Sequence, residues 1–404
     1  MTERLIIVGG GQAAVQAVHS LRQQHFDGAI TLVGEEPFLP YQRPPLSKKY
    51  LAGELPRERL FLRPAGFYAD KHVDLELNAR VEELDLGRHT VRLADGRTFD
   101  FDRLLLATGS RPRRLELPGA ELKGVHYLRS IADADAISAA LTQSAHVVLI
   151  GAGYIGLEVA AVLRQRGLDV TILEAAGRVM SRVVCPAVSA FYHRQHTAAG
   201  VDIRLGAEVR ALHGRDRVEL VELADERLAC DVVIVGIGVV PNTELASAAG
   251  LPCNNGIVVD EFARTRDSHV FAAGDCTSQP HSALGRSVRL ESVPNAIHQA
   301  KVAAASVLGT PTAYSEVPWF WSDQYDLKLQ IAGLSQGFEE VVIRGDPETG
   351  CFAAYYFAGG RLIAVDAVNS PRDFILGKKL LAAGATVPAA ALRDPNTDVA
   401  ALAG

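Results

Sequence analysis

The chain has 404 residues, an apolar share of 48%, a charged share of 22% and a formal net charge of −6. These values indicate a globular protein of about two to three domains and exclude a disordered chain. No block of like charge suggests a nucleic-acid partner, and no apolar run approaches the roughly 18 residues needed to span a membrane.

The first predicted element is an apolar strand over residues 5–8, which leads into a glycine loop and a helix. The loop reads G-x-G-x-x-A, with Gly9, Gly11 and Ala14 at its fixed positions. Gly9 permits the tight turn, Gly11 lets the backbone approach a pyrophosphate, and Ala14 allows the helix to pack closely on the strand. A second strand ends beside Glu35, 24 residues beyond Gly11, where a carboxylate can accept hydrogen bonds from a ribose diol.

A second unit of the same kind begins with an apolar strand over residues 146–150. Its helix is predicted to run to Gly167, and its next strand ends in Glu174, 21 residues after Gly153. The G-x-G-x-x-G loop between strand and helix comprises Gly151, Ala152, Gly153, Tyr154, Ile155 and Gly156. Two complete fingerprints predict two dinucleotides, which we identify as FAD and a nicotinamide cofactor because hydride exchange between them explains why one chain holds both.

Glu174 indicates which nicotinamide cofactor is bound. A carboxylate at the ribose favours a free 2′-hydroxyl and repels a 2′-phosphate. An NADP site would carry Arg or Lys just after the strand, where this chain has Ala175 and Ala176. Arg178 lies four positions beyond Glu174, but it would have to offset the carboxylate. We therefore predict NAD(H).

Two further segments, residues 102–109 (DRLLLATG) and 270–275 (VFAAGD), accompany the glycine loops. With them the chain resembles the two-dinucleotide flavoprotein reductases of the pyridine nucleotide-disulfide oxidoreductase superfamily. The resemblance implies an α/β, glutathione-reductase-like fold with two Rossmann-like dinucleotide-binding domains, for FAD and NAD, and a C-terminal α+β domain. Asp275 matches the aspartate that binds the flavin ribityl chain in this superfamily. In the alternative, Asp275 is a capping residue that opens the next helix.

The cysteines argue against an internal thiol relay. Disulfide reductases and NADH oxidases of this superfamily carry redox cysteines in the first domain, whereas no cysteine precedes Cys185 here. We therefore expect electrons to leave the flavin for an external acceptor. The five cysteines lie far apart, which predicts reduced thiols in a cytoplasmic protein and no metal site. His193 and His196 could face one way, but nothing nearby completes a ligand set, so we expect surface histidines.

A narrower resemblance is to the ferredoxin reductases of bacterial oxygenase systems, and it covers essentially the whole chain. It is carried by residues 43–48 (RPPLSK), 153–158 (GYIGLE), 236–242 (GIGVVPN), 291–296 (ESVPNA) and 318–325 (PWFWSDQY). The resemblance implies hydride transfer from NADH to FAD, followed by one-electron transfers to a [2Fe-2S] ferredoxin that serves a monooxygenase or dioxygenase.

The same resemblance implies the residues that bind each cofactor. The implied FAD residues are Gly9, Gly11, Ala13, Ala14, Glu35, Arg43, Lys48, Val81, Arg129, Asp275, Val293 and Trp319. The implied NAD residues are the second glycine loop with Glu158, Glu174 and Gly238. Val81 could instead be an ordinary strand residue. Trp319 and Trp321 resemble an aromatic cover at the flavin edge; the alternative is that both are plain core residues.

Lys48 and Glu158 are the predicted catalytic residues. The resemblance implies an ion pair between them near the nicotinamide, with Glu158 on the first turn of its helix and Lys48 stabilising charge on the reduced flavin. In the alternative, Glu158 is merely an acid near a helix N-terminus, worth about 0.3–1 kcal/mol, and Lys48 is solvated.

The predicted FAD domain is split by an inserted NAD domain. We expect the FAD domain at residues 1–112 and 244–315, the NAD domain at 113–243, and the C-terminal domain at 316–404. The C-terminal strands are predicted at 329–331, 341–344, 352–357 and 362–365, with a hairpin turn at Gly359-Gly360 and a partly helical tail.

Three basic residues are candidates for docking an acidic iron-sulfur carrier by resemblance: Arg63, Lys301 and Lys328. Two other functions share the same cofactors. One is an NADH-linked reductase of a small acceptor, of the monodehydroascorbate or quinone type. The other is a redox-dependent binding protein similar to apoptosis-inducing factor.

Overall fold

The structure, a computed structural model, describes residues 3–141, 145–281, 284–394 and 397. The chain forms two compact units, each made of three segments. The first unit comprises Met1–Gln42, Arg57–Arg111 and Val239–Glu316. The second unit comprises Arg43–Pro56, Pro112–Gly238 and Val317–Gly404.

The strands are numbered along the chain. Those before residue 130 are β1 (Arg4–Val8), β2 (Ala29–Val33), β3 (Val73–Glu76), β4 (Val81–Asp85), β5 (Thr90–Leu93), β6 (Thr98–Asp100), β7 (Arg103–Leu106), β8 (Ser110–Pro112) and β9 (Val125–Tyr127). The next are β10 (His146–Ile150), β11 (Asp169–Glu174), β12 (Asp202–Leu205), β13 (Val209–His213), β14 (Leu220–Leu223), β15 (Arg227–Ala229), β16 (Val232–Val235) and β17 (Val239–Pro241). The last are β18 (Ile257–Val258), β19 (Val270–Ala272), β20 (Thr277–His281), β21 (Arg286–Val288), β22 (Trp319–Gln324), β23 (Leu327–Gly333), β24 (Glu340–Asp346), β25 (Cys351–Ala358) and β26 (Arg361–Val368).

The helices are numbered in the same way. They are α1 (Gln12–Gln23), α2 (Ala65–Asp70), α3 (Ile131–Ala140), α4 (Tyr154–Gln165), α5 (Pro186–Ala198), α6 (Glu244–Ala248), α7 (Val293–Val307), α8 (Pro371–Ala383) and α9 (Ala389–Arg393). Within the described ranges, no helix is both long and apolar enough to cross a membrane.

The first unit is built on a five-stranded parallel sheet in the order β19-β7-β1-β2-β3. Strand β1 is an almost continuous apolar run because a central parallel strand is covered on both faces. On one face, Leu21 of α1 and Ala303 of α7 belong to the same buried cluster as Ile7 of β1. Helix α1 follows directly from β1, so the loop between them lies at the carboxyl edge of the sheet. Ligands of open α/β sheets bind at this edge.

The second unit repeats this arrangement in the sheet β12-β11-β10-β16-β9, which is also parallel. Strand β10 is buried along nearly its whole length, and α4 follows it after the second glycine loop. Helix α3 begins with a capping box, in which Ser130 accepts a hydrogen bond from the backbone of Asp133 and the Asp133 carboxylate accepts one from Ser130. The second unit therefore also carries a glycine loop at the carboxyl edge of a parallel sheet.

The C-terminal part of the second unit is an antiparallel sheet in the order β22-β23-β26-β25-β24. Helix α8 packs against it, and Tyr355, Val365 and Phe374 share one core cluster. The four predicted strands and the turn at Gly359-Gly360 are present. Strand β22 was not predicted. The α/β fold with two Rossmann-like sheets and a C-terminal α+β part is confirmed, and the division into FAD and NAD domains stays a prediction.

Candidate functional site

The first glycine loop joins β1 to α1. Gly9 has a backbone φ of +125°, and a Cβ there would lie 2.1 Å from the carbonyl oxygen of Ala107, so only glycine fits. A Cβ on Gly11 would meet nothing within 4 Å, and Gly11 caps α1 without any side-chain hydrogen bond. The first turn of α1 contains no acidic residue. This open helix start, which lacks a side-chain cap, fits a pyrophosphate, which would accept hydrogen bonds from its backbone N–H groups.

Three segments of the first unit meet at this loop. A Cβ on Gly274 would lie 3.4 Å from that of Ala13, so the segment carrying Asp275 lies against the start of α1. Asp275 accepts a hydrogen bond from Ser110 Oγ at 2.9 Å. Val293 begins α7, the helix that packs along α1.

The alternative, in which Asp275 caps a following helix, is wrong. The next element is β20, which starts two residues later. Asp275 sits in the turn between β19 and β20, where its carboxylate is held by Ser110. This position is compatible with binding a polyol chain beside the first glycine loop.

Glu35 and Val81 also lie close together in the first unit. Glu35 follows the end of β2, its carboxylate is mainly solvent-exposed, and Arg80 Nη1 lies 3.4 Å from it. The preceding backbone is tied by a hydrogen bond from Ala79 N to Gly34 O, which brings Val81 to the same edge. Val81 is the first residue of β4 and pairs with Leu93 of β5, so it is also an ordinary strand residue. Such an exposed ion pair contributes little stability and leaves Glu35 able to accept hydrogen bonds from a ribose.

The second glycine loop has the same construction. A Cβ on Gly156 would lie 2.2 Å from the carbonyl oxygen of Gly151, whereas a Cβ on Gly153 would meet nothing within 4 Å. Gly153 caps α4 without a side-chain hydrogen bond, and no acid lies in the first turn. Helix α4 begins at Tyr154, and Ile155 in its first turn is an exposed large apolar residue. The loop therefore fits a second pyrophosphate.

Glu174 is the last residue of β11, and its carboxylate is already held by the backbone. Its two oxygens accept hydrogen bonds from Ala152 N at 2.7 Å and Ala176 N at 2.8 Å. Arg178 donates to the carbonyl oxygens of Val184 at 2.7 Å and Ser181 at 2.6 Å. Arg178 is thus committed to its own loop, and an acid occupies the end of the strand. This arrangement suits a ribose with a free 2′-hydroxyl.

Two predicted FAD residues of the second unit are joined directly. Arg43 Nη1 donates to the carbonyl oxygen of Arg129 at 2.7 Å. Arg129 lies just before α3, where its backbone N–H donates to Asp133 Oδ2 at 3.1 Å. Gly238, with a φ of +106°, lies near the Arg182 guanidinium, which would be 3.6 Å from a Cβ at that position.

Lys48 and Glu158 form a buried ion pair with 2.7 Å between Lys48 Nζ and Glu158 Oε2. The side chain of Glu158 is 4% exposed and that of Lys48 17%. The predicted ion pair is therefore present and Lys48 is only partly exposed, while its place near the nicotinamide stays a prediction. Glu158 lies in the second turn of α4, not in the first, since α4 starts at Tyr154.

Two serines that the sequence analysis missed complete the surroundings of Glu158. Ser47 Oγ donates to Oε2 at 2.5 Å, and Ser322 Oγ donates to Oε1 at 2.6 Å. The carboxylate thus receives three donors, which matches its ionised form. Ser47 is part of the RPPLSK segment, and Ser322 directly follows Trp321 in β22, so both stood in segments that carried the resemblance.

The tryptophans share one face of β22. The rings of Trp319 and Trp321 are 5.7 Å apart, and Phe320 on the other face contacts Tyr154 with 4.7 Å between ring centroids. Lys378 Nζ lies over the Trp319 ring at 5.4 Å. Both tryptophans are half-buried. Their proposed role at a flavin edge stays a prediction.

His196 is not a surface histidine. It is fully buried in α5, and its Nε2 lies 2.9 Å from Gln324 Oε1. All five cysteines are free thiols. No three His, Cys, Asp or Glu side chains of the described ranges converge as metal ligands.

Two nucleotide-type loops on two parallel sheets define a two-dinucleotide oxidoreductase, and the comparison with known families agrees. Residues 3–300 match the family described as pyridine nucleotide-disulphide oxidoreductase, and residues 319–403 match the reductase C-terminal family. The chain belongs to the pyridine nucleotide-disulphide oxidoreductase family.

Within that family the chain is similar to reductases of small electron carriers. It is 46% identical to rhodocoxin reductase of Rhodococcus erythropolis, over 94% of this chain and 89% of that protein. It is 45% identical to a ferredoxin–NAD(P)(+) reductase of a Sphingomonas species, over 95% and 94% of the two chains. The reductase in the crystal structure of a covalent putidaredoxin reductase–putidaredoxin complex superimposes with a TM-score of 0.96, at 41% identity and with coverage of 99% and 98%.

Proposed function

We propose that this protein is an NADH-dependent ferredoxin reductase. It takes a hydride from NADH into FAD and passes electrons singly to a [2Fe-2S] ferredoxin, which serves a monooxygenase or dioxygenase. The observation that carries the proposal is the pair of open glycine loops in a chain with no cysteine before Cys185. Such a chain can exchange hydride between two dinucleotides but has no adjacent thiol pair to receive the electrons.

The residues divide between the two cofactors as follows. The loop Gly9–Ala14, with Asp275 and the start of α7, holds the flavin nucleotide, and Glu35 binds its ribose. The loop Gly151–Gly156 holds the nicotinamide nucleotide, and Glu174 selects NADH. FAD, when bound, accepts two electrons as hydride and gives them up one at a time.

Lys48 and Glu158 are the proposed catalytic residues. When FAD is bound, the cation of Lys48 would stabilise charge on the reduced flavin, and Glu158 fixes the position of Lys48 through the 2.7 Å ion pair. The side chains need not remove a proton for hydride transfer. Their work is to orient the rings, exclude water and supply a fixed charge.

The acceptor is proposed from the relatives. One is named a ferredoxin reductase, and another was crystallised in a complex with putidaredoxin. A cytoplasmic location is part of the proposal because NADH and a reducing environment for five free thiols are both found there.

The test is anaerobic stopped-flow mixing of the FAD-loaded protein with NADH, then with a panel of [2Fe-2S] ferredoxins. We expect fast bleaching of the flavin and reduction of two ferredoxins per NADH. Turnover with quinone or monodehydroascorbate but with no ferredoxin would replace the proposal with a small-acceptor reductase. Slow bleaching and a redox-dependent oligomer would replace it with a redox-dependent binding protein.

The same experiment tests the ion pair. In Lys48→Met and Glu158→Gln, we expect flavin reduction by NADH to slow by about tenfold or more, because a fixed charge is lost at the site of reaction. Lys49→Met, which changes the neighbouring lysine, is the matched control and should reduce flavin normally. Wild-type rates in both of the first two variants would remove the catalytic role.

A further inference from the structure

A continuous series of hydrogen-bonded polar side chains, most of them buried, leads away from Glu158 within the second unit. Ser322 Oγ lies 2.6 Å from Glu158 Oε1, and Gln324 Nε2 lies 3.2 Å from Ser322 Oγ. His196 Nε2 lies 2.9 Å from Gln324 Oε1, and the Tyr325 hydroxyl lies 3.2 Å from His196 Nδ1. We call these four residues, Ser322, Gln324, His196 and Tyr325, the Glu158 chain.

The hydrogens of this chain can be assigned from its fixed end. Glu158 as a carboxylate only accepts, so the single hydroxyl proton of Ser322 points to Oε1. Ser322 Oγ then accepts from the Gln324 amide, which turns Gln324 Oε1 toward His196. His196 must therefore carry its proton on Nε2.

The direction of the hydrogen bond between His196 and Tyr325, at the other end of the Glu158 chain, can be assigned in the same way. Burial lowers the pKa of His196 to about 4, so the imidazole is neutral and Nδ1 has no proton. Nδ1 accepts from the hydroxyl of Tyr325. Every donor in the chain thus points toward Glu158.

Stability alone does not explain this chain. Ser322 and His196 are fully buried and Gln324 is 1% exposed. Apolar side chains of similar shape would fill the same volume without desolvating three polar side chains, and such replacements are often neutral or stabilising. The chain ends on the carboxylate that holds Lys48, which gives the polar groups a use in orienting that carboxylate.

We propose that His196 is a positioning residue for the Lys48–Glu158 pair. Its Nε2–H tautomer locks the Gln324 amide, which keeps the Ser322 hydroxyl on Glu158 Oε1 and leaves Oε2 for Ser47 and Lys48. Without the imidazole, the Gln324 amide can turn over and take the Ser322 proton. Glu158 then loses a donor and draws Lys48 more closely to itself. The inference rests on the proposed role of Lys48 at the flavin.

The first test needs no flavin chemistry. In ¹⁵N-histidine NMR of the full-length protein as purified, His196, assigned by its loss in His196→Gln, should show a neutral ring protonated on Nε2 from about pH 5.5 to about pH 8.5. The titratable side chains facing it are Tyr325 and, from its own helix, His193. A ring protonated on Nδ1, or one that titrates in this range, would overturn the proposal.

The second test is a double-mutant cycle read in the midpoint potential of bound FAD, measured by anaerobic spectroelectrochemistry. Ser322→Ala and His196→Phe should each lower the ratio of reduced to oxidised flavin at a fixed potential, by threefold to tenfold. A tenfold change corresponds to about 30 mV for a two-electron couple. Together the two variants should shift the potential no more than Ser322→Ala alone, because both break the same chain.

His196→Gln keeps a donor toward Gln324 and an acceptor for Tyr325, so it should restore the wild-type potential. His193→Phe, on the same helix but outside the chain, is the control. Additive shifts in potential, or a wild-type potential in His196→Phe, would show that the Glu158 chain does not position the Lys48–Glu158 pair. Wild-type protein that reduces no ferredoxin, yet shows the tautomer and the non-additive shifts, would refute the proposed function and leave this inference standing.

Discussion

At the scale of single residues, two buried carboxylates of the second unit have opposite surroundings. Glu158 receives donors from Ser47, Ser322 and Lys48, which suit its ionised form. Asp366 is fully buried and accepts one hydrogen bond, from the hydroxyl of Tyr356, while its Oδ1 has no partner among the described residues. Burial raises the pKa of Asp366 to about 7. The donors around Glu158 favour its ionised form, whereas burial of Asp366 favours the neutral acid.

We predict that Asp366 makes folding stability depend on pH. Its pKa in the folded protein lies above its ordinary value of 3.8, so the folded state binds more protons between these two values. Its contribution to stability is complete below about pH 4 and is lost as the pH rises through 7. Asp366→Asn should therefore gain stability relative to the wild type between pH 5.5 and 8, by an amount on the order of 1–3 kcal/mol.

Urea unfolding at several pH values measures this difference. Asp323→Asn, a half-buried aspartate on the same sheet, is the control for loss of one charge. A constant difference between wild type and Asp366→Asn across the range would mean that Asp366 is ionised when folded.

At the scale of elements, the two strand–loop–helix units were predictable because their signals are local. Residues 5–14 and 146–156 carry apolar runs and glycines whose spacing alone determines the turn. Strand β22 was missed because its WFWSDQ sequence mixes aromatic and polar residues without an apolar period. The donors to Glu158 could not be found by spacing, since Ser47 is 111 positions away and Ser322 is 164. For His196, a polar side chain buried by tertiary contacts, the sequence contains no signal of burial.

The two glycines of the first loop should respond differently to alanine. Gly9→Ala combines a φ of +125° with a Cβ 2.1 Å from Ala107 O, so we expect loss of the folded protein. Gly11→Ala meets no protein atom within 4 Å, so the fold should survive while the methyl group blocks the pyrophosphate. The ratio of FAD to protein after purification, with circular dichroism for the fold, distinguishes the two. Gly66→Ala, also in open space, should keep both, and normal FAD content in Gly11→Ala would mean that the flavin binds elsewhere.

The second unit should be hard to convert to NADPH at a single position. Glu174→Ala removes the acid, but Arg178 remains bonded to Val184 O and Ser181 O and is not released toward a phosphate. We expect the KM for NADH to rise about tenfold with no useful gain for NADPH, since the ribose loses its partner and no cation replaces it. Glu174→Gln, which retains acceptor and shape, should be milder. Efficient NADPH use by Glu174→Ala would show that another cation already faces the 2′ position.

At the scale of the whole molecule, charge limits how the acceptor is recognised. A net charge of −6 gives no general attraction for an acidic carrier protein, so any basic docking surface has to be local. Arg63, Lys301 and Lys328 are all exposed. Arg63 packs its guanidinium over the Phe67 ring at 5.3 Å, which restrains it while leaving its charge in solvent. Charges of this kind control the rate of encounter more than the strength of a complex.

We therefore predict that charge reversal at these positions slows ferredoxin reduction without affecting flavin reduction. Lys301→Glu and Lys328→Glu should each lower kcat/KM for an acidic ferredoxin by about fivefold or more at low salt. The difference from wild type should shrink as the salt concentration rises, because at physiological salt exposed charges are screened beyond about 8 Å. Arg88→Glu, at a side chain 85% exposed, provides a reversal of the same sign as a control. Equal losses in Arg88→Glu would mean that only the net charge of the protein matters. A wild-type reaction rate that does not change with salt would mean that docking depends on apolar contact. The half-buried Trp319 and Trp321 would then be the first residues to change.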